Sequence, residues 1–245
     1  MRSELKKLLG IAPTSLFGTA NENNRVVWLE KTLKKIPAGS RLLDAGAGEQ
    51  QFKKFCTHLK YVSQDFAQYK PEEKKEGLQM EKWDYSGLDI VSDIASIPEP
   101  EKSFDAILCT EVFEHIVNPI EAIKEFARLL KHGGHAIITA PFCRLTHFAP
   151  YHFYSGFNKY FYEKCFKDFG FEILEMTPNG NYFEYIAQEL QRLPAIVTKH
   201  SKYIVREYDQ KIISASIQLL EKISAKEKDS SELLNYGWHL LAKKI

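Results

Sequence analysis

The sequence predicts an α/β protein built on a parallel sheet with helices on both faces. Between residues 26 and 141, short apolar runs alternate with amphipathic stretches, which is how strands and covering helices succeed one another in such a sheet. One of those runs, "SFDAILCT" at 103–110, is apolar enough to be covered on both sides. A glycine-bearing turn, "DAGAG" at 44–48, stands where the first strand should pass into a helix.

The elements follow in order. "ENNRVVWLEKTLKKI" spaces Val26, Leu29, Leu33 and Ile36 at helical intervals, and Pro37-Ala38-Gly39 closes it. "RLLDAG" is the first buried strand, "YVSQD" (61–65) the second, "LDIVSDI" (88–94) a weaker third and "SFDAILCT" the fourth. "NPIEAIKEFARLLKHGG" is the clearest helix. Asn118 caps it, Pro119 takes its first position, Glu121 has capping-box spacing, and Ile120, Ile123, Ala127 and Leu130 form its apolar stripe. Gly133-Gly134 are expected to stop that helix before the fifth strand, "HAIITAP". "GFNKYFYEKCFKDFGFEILEM" then reads as a helix entering a strand at Phe171–Met176. Residues 181–232 read as almost wholly helical, with Val205, Tyr208, Ile212, Ala215, Leu219 and Ile223 on one face, and "YGWHLLAKKI" returns as a strand. The expected organisation is one domain over 1–245, with an N-terminal helical segment at 1–37 and a helical insertion at 181–232 that serves as a lid or a subunit contact.

Bulk properties narrow the function. Thirty-three Lys+Arg face thirty-two Asp+Glu, a formal net charge of +1, and this balance does not favour binding that runs on phosphate neutralisation. Cys56, Cys109, Cys143 and Cys165 show no C-x-x-C spacing, as expected of free thiols in a reducing compartment. "MRSELKKLLGIAPTS" lacks the apolar core of a signal peptide, and no run of about 18 apolar residues is present, so a cytoplasmic protein outside the membrane is expected. The run Lys70–Glu76 reads as a solvated charged loop.

In a doubly wound sheet, ligands bind beyond the carboxyl ends of the strands. Glycine there permits a sharp turn and close approach of a ligand to the amides. A dinucleotide fold would place a third glycine at position 51, which is Gln51, and a phosphate-cradling loop would need G-K-[ST], which is absent. The turn therefore suits a nucleoside-bearing ligand without a phosphate. Asp65 ends the second strand about 20 residues past the turn, where an acid meets ribose hydroxyls. Asp93 and Ile94 end the third strand, and "CTEVFEH" follows the fourth.

Together, "LLDAGAGEQ", "YVSQDF", "SDIASIP", "FDAILCTEVFEHIVNP" and "LLKHGGHAIITAP" resemble the motifs of class I S-adenosylmethionine-dependent methyltransferases, small-molecule type, over about residues 38–176, with "YGWHLLAKKI" as the last strand. The resemblance implies a Rossmann-like seven-stranded sheet of order 3-2-1-4-5-7-6 with its last strand antiparallel. It implies S-adenosylmethionine as cofactor. Asp44, Ala45, Gly46 and Gly48 would approach the methionine part, Asp65 and Phe66 the ribose, Asp93 and Ile94 the adenine, and Thr110 and Glu111 the inner wall.

For the acceptor, the tract "THFAPYHFYSGFNKYFY" supplies histidines and aromatics, rings that stack on a flat or sugar-like molecule and offer a polar edge. His115 and His152 are the candidate catalytic bases, and His147, Tyr151 and Tyr154 the candidate acceptor contacts. Glu111 and His115, four apart, would share a helical face, the acid raising the imidazole's pKa. No metal is expected. The expected partner is a small-molecule acceptor methylated on a hydroxyl, with self-association through 181–232. N-methylation, a non-catalytic binder of the cofactor, a nicotinamide oxidoreductase and an RNA methyltransferase are the competing readings.

Overall fold

A computed structural model describes residues 15–69 and 83–245; the charged loop Lys70–Glu76 and most of the N-terminal segment lie outside the described residues. The chain forms two compact units. One comprises Arg25–Asn179 and Gly237–Ile245, the other Met1–Asn24 and Gly180–Tyr236.

The first unit holds a seven-stranded sheet: β1 (Arg41–Ala45), β2 (Lys60–Asp65), β3 (Ile90–Val91), β4 (Phe104–Thr110), β5 (Leu130–Pro141), β6 (Phe171–Asn179) and β7 (Gly237–Lys244). Their order is β3-β2-β1-β4-β5-β7-β6, with β7 antiparallel to both neighbours, as the sequence led us to expect. Alternation along the strands sends residues to two cores. Leu43, Ile107 and Ile138 face one, with Ile123 and Phe126 of α2 (Pro119–Leu129) and Tyr162 and Phe166 of α3 (Lys159–Asp168). Leu42, Leu108 and Ile137 face the other, with Leu29 and Leu33 of α1 (Asn21–Leu33). Each such side chain, fully withdrawn from water, contributes about 1.5–3 kcal/mol.

Three local expectations are corrected. First, α2 ends at Leu129 and Leu130 already has extended backbone, so Gly133 and Gly134 lie inside β5. There the pairing with β4 shifts between Phe104 and Ala106; Gly133 has φ +82°, and a Cβ on Gly134 would meet the Lys131 carbonyl at 2.9 Å. The glycines make a bulge, not a helix stop. Second, Asn118 stands at the cap position but its side chain makes no capping bond. The buried stripe of α2 is Ala122, Ile123, Phe126 and Leu129, while Ile120 is exposed.

Third, residues 181–232 form two helices, α4 (Tyr182–His200) and α5 (Glu207–Ser224), with a short 3-10 turn at Ser230–Glu232. α4 opens with a capping box: the Asn181 side chain accepts from the Phe183 and Glu184 amides, and Glu184 accepts from the Asn181 amide. On α5 the expected apolar face is outward, Tyr208, Ile212 and Leu219 being exposed, and the buried residue is Ile217. The helix carries two apolar stripes, and the one bearing Ile213, Ile217 and Leu220 turns inward. Among the described residues no helix is long and apolar enough to cross a membrane.

Candidate active site

The strand ends of β1, β2 and β4 open on a cavity of about 680 Å³. At its first end the backbone does the shaping. Gly46 (φ +79°) has no room for a Cβ, which would meet Val112 Cγ2 at 2.5 Å, and a Cβ on Gly48 would meet the Trp83 ring at 2.5 Å. The amides of Gly46 and Ala47 donate to the Gln64 carbonyl at 2.8 and 2.9 Å. The Asp65 carboxylate accepts from the Gly48 amide at 3.0 Å and the Ala67 amide at 2.9 Å, which ties the turn to the end of β2. Burial raises the Asp65 pKa against the pull of those amides. Beside it, Gln64 donates to the Ser92 carbonyl at 2.7 Å, while its buried Oε1 has no hydrogen-bond partner among the described residues. Asp93 accepts from the Ala95 amide at 2.8 Å.

At the other end side chains prevail. Glu111, at φ +54°, accepts from Arg144 Nη1 at 2.7 Å, from Arg25 Nη1 at 3.1 Å and from Thr139 Oγ1 at 3.0 Å. Burial pushes its carboxyl up, but the two guanidinium groups and the hydroxyl outweigh it and hold the pKa down. Backbone held in this sparsely populated region by surrounding contacts is a recurrent mark of a functional site. Glu114 is wholly buried, and neither carboxyl oxygen has a hydrogen-bond partner among the described residues; burial, then Glu111, pushes its pKa to about 8. His115 donates from Nδ1 to the Tyr151 carbonyl at 2.5 Å, and His147 from Nδ1 to the Leu145 carbonyl at 3.0 Å. A carbonyl only accepts, so each ring is fixed as the tautomer with a free Nε2 lone pair. Burial lowers the pKa to about 3 for His115, and burial followed by Arg144 lowers it to about 4 for His147.

A family model described as a methyltransferase domain matches residues 26–176, the stretch that builds both ends of this cavity. The chain belongs to that family. Over 49 residues it is 43% identical to a ubiquinone biosynthesis O-methyltransferase of Alkalilimnicola ehrlichii, covering 20% of this chain and only 19% of that relative's length. A SAM-dependent methyltransferase of Archaeoglobus fulgidus has the same fold, at TM-score 0.52 and 15% identity over 94% of this chain and 100% of that one. So does Haemonchus contortus phosphoethanolamine N-methyltransferase 2, solved with S-adenosyl-L-methionine, at TM-score 0.51 and 17% identity over 90% of this chain and 52% of that one.

In this methyltransferase most of the residues singled out from sequence converge. Gly46, Gly48, Asp65, Phe66, Asp93 and Ile94 line the cavity at the glycine end, and Thr110, Glu111, His115, His147 and Tyr151 line it further along. Four do not. Asp44 is 1% exposed and accepts from the Tyr61 hydroxyl at 2.5 Å. The pleat places it on the Leu42 face, away from the cavity, and burial raises its pKa to about 7. Ala45 is packed in the core. Tyr154 is a surface residue whose hydroxyl donates to the Val117 carbonyl at 2.9 Å. His152 sits behind His147, ring centroids 4.7 Å apart, and is not part of the cavity lining.

Glu111 does pull the His115 pKa upward, but burial outweighs it and the net shift is downward. The two do not share a helix, since only Phe113–His115 forms a short 3-10 turn, and Glu111 is also paired with Arg25 and Arg144. Sequence reading missed Arg144 and Trp83, which line the cavity, and Glu114, wholly buried beside His115; none carries a spacing signal. On α1, Arg25 lines the cavity, whereas Trp28 stacks on His239 and donates to Glu175.

Proposed function

We propose that the chain methylates a hydroxyl of a small molecule held at the histidine end of the cavity, with S-adenosylmethionine at the glycine end. The residues there fit the cofactor. The turn offers backbone and no phosphate-binding lysine. Asp65 retains lone pairs beyond the two it gives to amides, enough for ribose hydroxyls, and the unpartnered Gln64 Oε1 is a ready acceptor for an amino group. When bound, the cofactor supplies an electrophilic methyl group on a sulfonium whose positive charge fades as the methyl leaves.

The protein's contribution is then placement. In-line displacement demands that the acceptor's lone pair lie opposite the departing sulfur, so alignment supplies much of the rate. The observation that carries the hydroxyl reading is the electrostatics of the histidine end. Glu111 is consumed by two arginines, and Glu114, with its pKa near 8, is protonated at neutral pH. No net negative charge remains to hold an ammonium. The Nε2 lone pairs of His115 and His147 accept a hydrogen bond from a neutral hydroxyl instead. With pKa values of about 3 and 4 these rings orient the hydroxyl far better than they hold its proton. The partial likeness to an O-methyltransferase agrees with this reading.

The test is transfer of labelled methyl from S-adenosylmethionine to paired acceptors that differ only in carrying a hydroxyl or an amine. Transfer to the hydroxyl members is expected; transfer confined to amines overturns the reading.

A further inference from the structure

Among the described residues, three metal-capable side chains converge at one place: His115, His147 and His152, with a ring nitrogen of each within 4.8 Å of the others. The ring centroids are 4.7, 5.7 and 4.7 Å apart for the pairs 115–147, 115–152 and 147–152. Three imidazoles around one zinc ion at about 2.0–2.1 Å would place their nitrogens roughly 3.3 Å apart, so the set must draw together by about 1.5 Å at most to close.

Two features mark this as a prepared site and not a chance cluster. Metal-binding histidines commonly donate their second ring N–H to a carbonyl or carboxylate, which fixes the tautomer and aims the lone pair. His115 and His147 both do this, to the carbonyls of Tyr151 and Leu145. His152 carries a buried Nδ1 with no hydrogen-bond partner among the described residues, an atom that water does not reach and that a metal bond would satisfy. The buried Glu114 carboxyl lies 3.7 Å from His115 Nε2, and the Arg144 guanidinium opposes an ion there.

We propose that His115, His147 and His152 bind a divalent transition-metal ion of the zinc–cobalt class at the acceptor end of the cavity. Three imidazole ligands suit these borderline ions and disfavour magnesium and calcium, which want oxygen. Three protein ligands leave a fourth position open, and His115 and His147 line the cavity from which it would be filled. The site's existence is independent of the methyl-transfer reading; only its use rests on that reading. With the ion bound, the Nε2 lone pairs go to the metal, and an acceptor oxygen in the fourth position is held by the ion in place of the rings and releases its proton to water more readily. Its lone pair then forms the bond to the methyl carbon as the carbon–sulfur bond breaks, the electron pair passing to sulfur.

The test uses the whole chain without a histidine tag, stripped by chelator and titrated with cobalt(II) while visible absorption is followed. One equivalent is expected to give intense bands of a four-coordinate ion, bleached by zinc. His147→Asn and His152→Asn are each expected to weaken binding about 100-fold or more, while His132→Asn, on the exposed start of β5, leaves it unchanged. Thermal melting and cofactor calorimetry establish that each variant is folded. Should one fail that check, zinc protection of the wild-type histidines from diethyl pyrocarbonate, mapped by peptide, takes its place. Absence of the cobalt bands, unchanged affinity in folded His147→Asn and His152→Asn, or no protection overturns the proposal. Cobalt binding without methyl transfer sinks the functional reading and leaves the site standing; methyl transfer without cobalt binding does the reverse.

Discussion

At the glycine end of the cavity, the groups that face a ligand are held by the main chain: two glycines without space for a Cβ, and a carboxylate pinned by two amides. At the histidine end the wall is made of side chains from the segment after β4 and the long loop after β5, braced by stacked rings such as Tyr69 on Phe148 at 3.7 Å. The first arrangement accepts one kind of ligand and tolerates almost no substitution. The second can be refitted residue by residue. On the function proposed above, a fixed cofactor and a changeable acceptor call for that division, and functions commonly diversify on loops set on a rigid frame.

The comparison is broken most severely by Gly46→Val. A branched side chain at φ +79° collides with Val112, and we expect cofactor binding by calorimetry to vanish with a loss of about 2 kcal/mol or more in stability. Detectable binding at near wild-type affinity would show that the turn is softer than described. Asp65→Asn should come next: one carboxylate oxygen and the charge are lost, worth roughly 1.5–3 kcal/mol for a charged hydrogen bond. Cofactor affinity should fall about 10–100-fold while the fold persists by circular dichroism.

Asp44→Asn separates burial from binding. The folded pKa of Asp44, about 7, lies above the ordinary 3.8, so the unfolded chain releases this proton first and stability falls as pH rises from about 4 through 7. The asparagine variant lacks that loss. Its melting temperature should match wild type near pH 4 and exceed it at pH 8, by at most about 4 kcal/mol in stability; equal pH dependence would place Asp44 in solvent contact. The smallest effect is expected from Tyr154→Phe, which removes one surface hydrogen bond to Val117. It should change stability by about 1 kcal/mol or less and leave kcat untouched; a large fall in kcat would return Tyr154 to the acceptor site.

The glycine end was legible in sequence because its chemistry is local. A turn residue, a strand end and an interval of about 20 residues suffice to place Gly46, Gly48 and Asp65, and alternation of strand and helix places the sheet around them. Asp44 shows where this stops: a strand-end acid adjoining the turn reads as a ligand contact, yet its side chain follows the pleat to Tyr61. The histidine end was legible only in composition. That His147 faces the cavity and His152 stands behind it depends on the path of the loop after Pro141, and that Arg144 meets Glu111 is a contact across 33 residues with no periodicity to betray it. Helix α5 failed for another reason. Two apolar stripes competed for the interior, and the heptad-like spacing of one says nothing about which finds a neighbour.

Asn179 at the end of β6 and Gly237 at the start of β7 are paired directly across the antiparallel ladder. Everything from 180 to 236 is thus, topologically, the loop of a single hairpin, entered and left at adjacent points on the sheet. A change in the length of that stretch therefore leaves the pairing of β6 with β7 free to keep its register, with the ends of β1, β2 and β4 untouched by it.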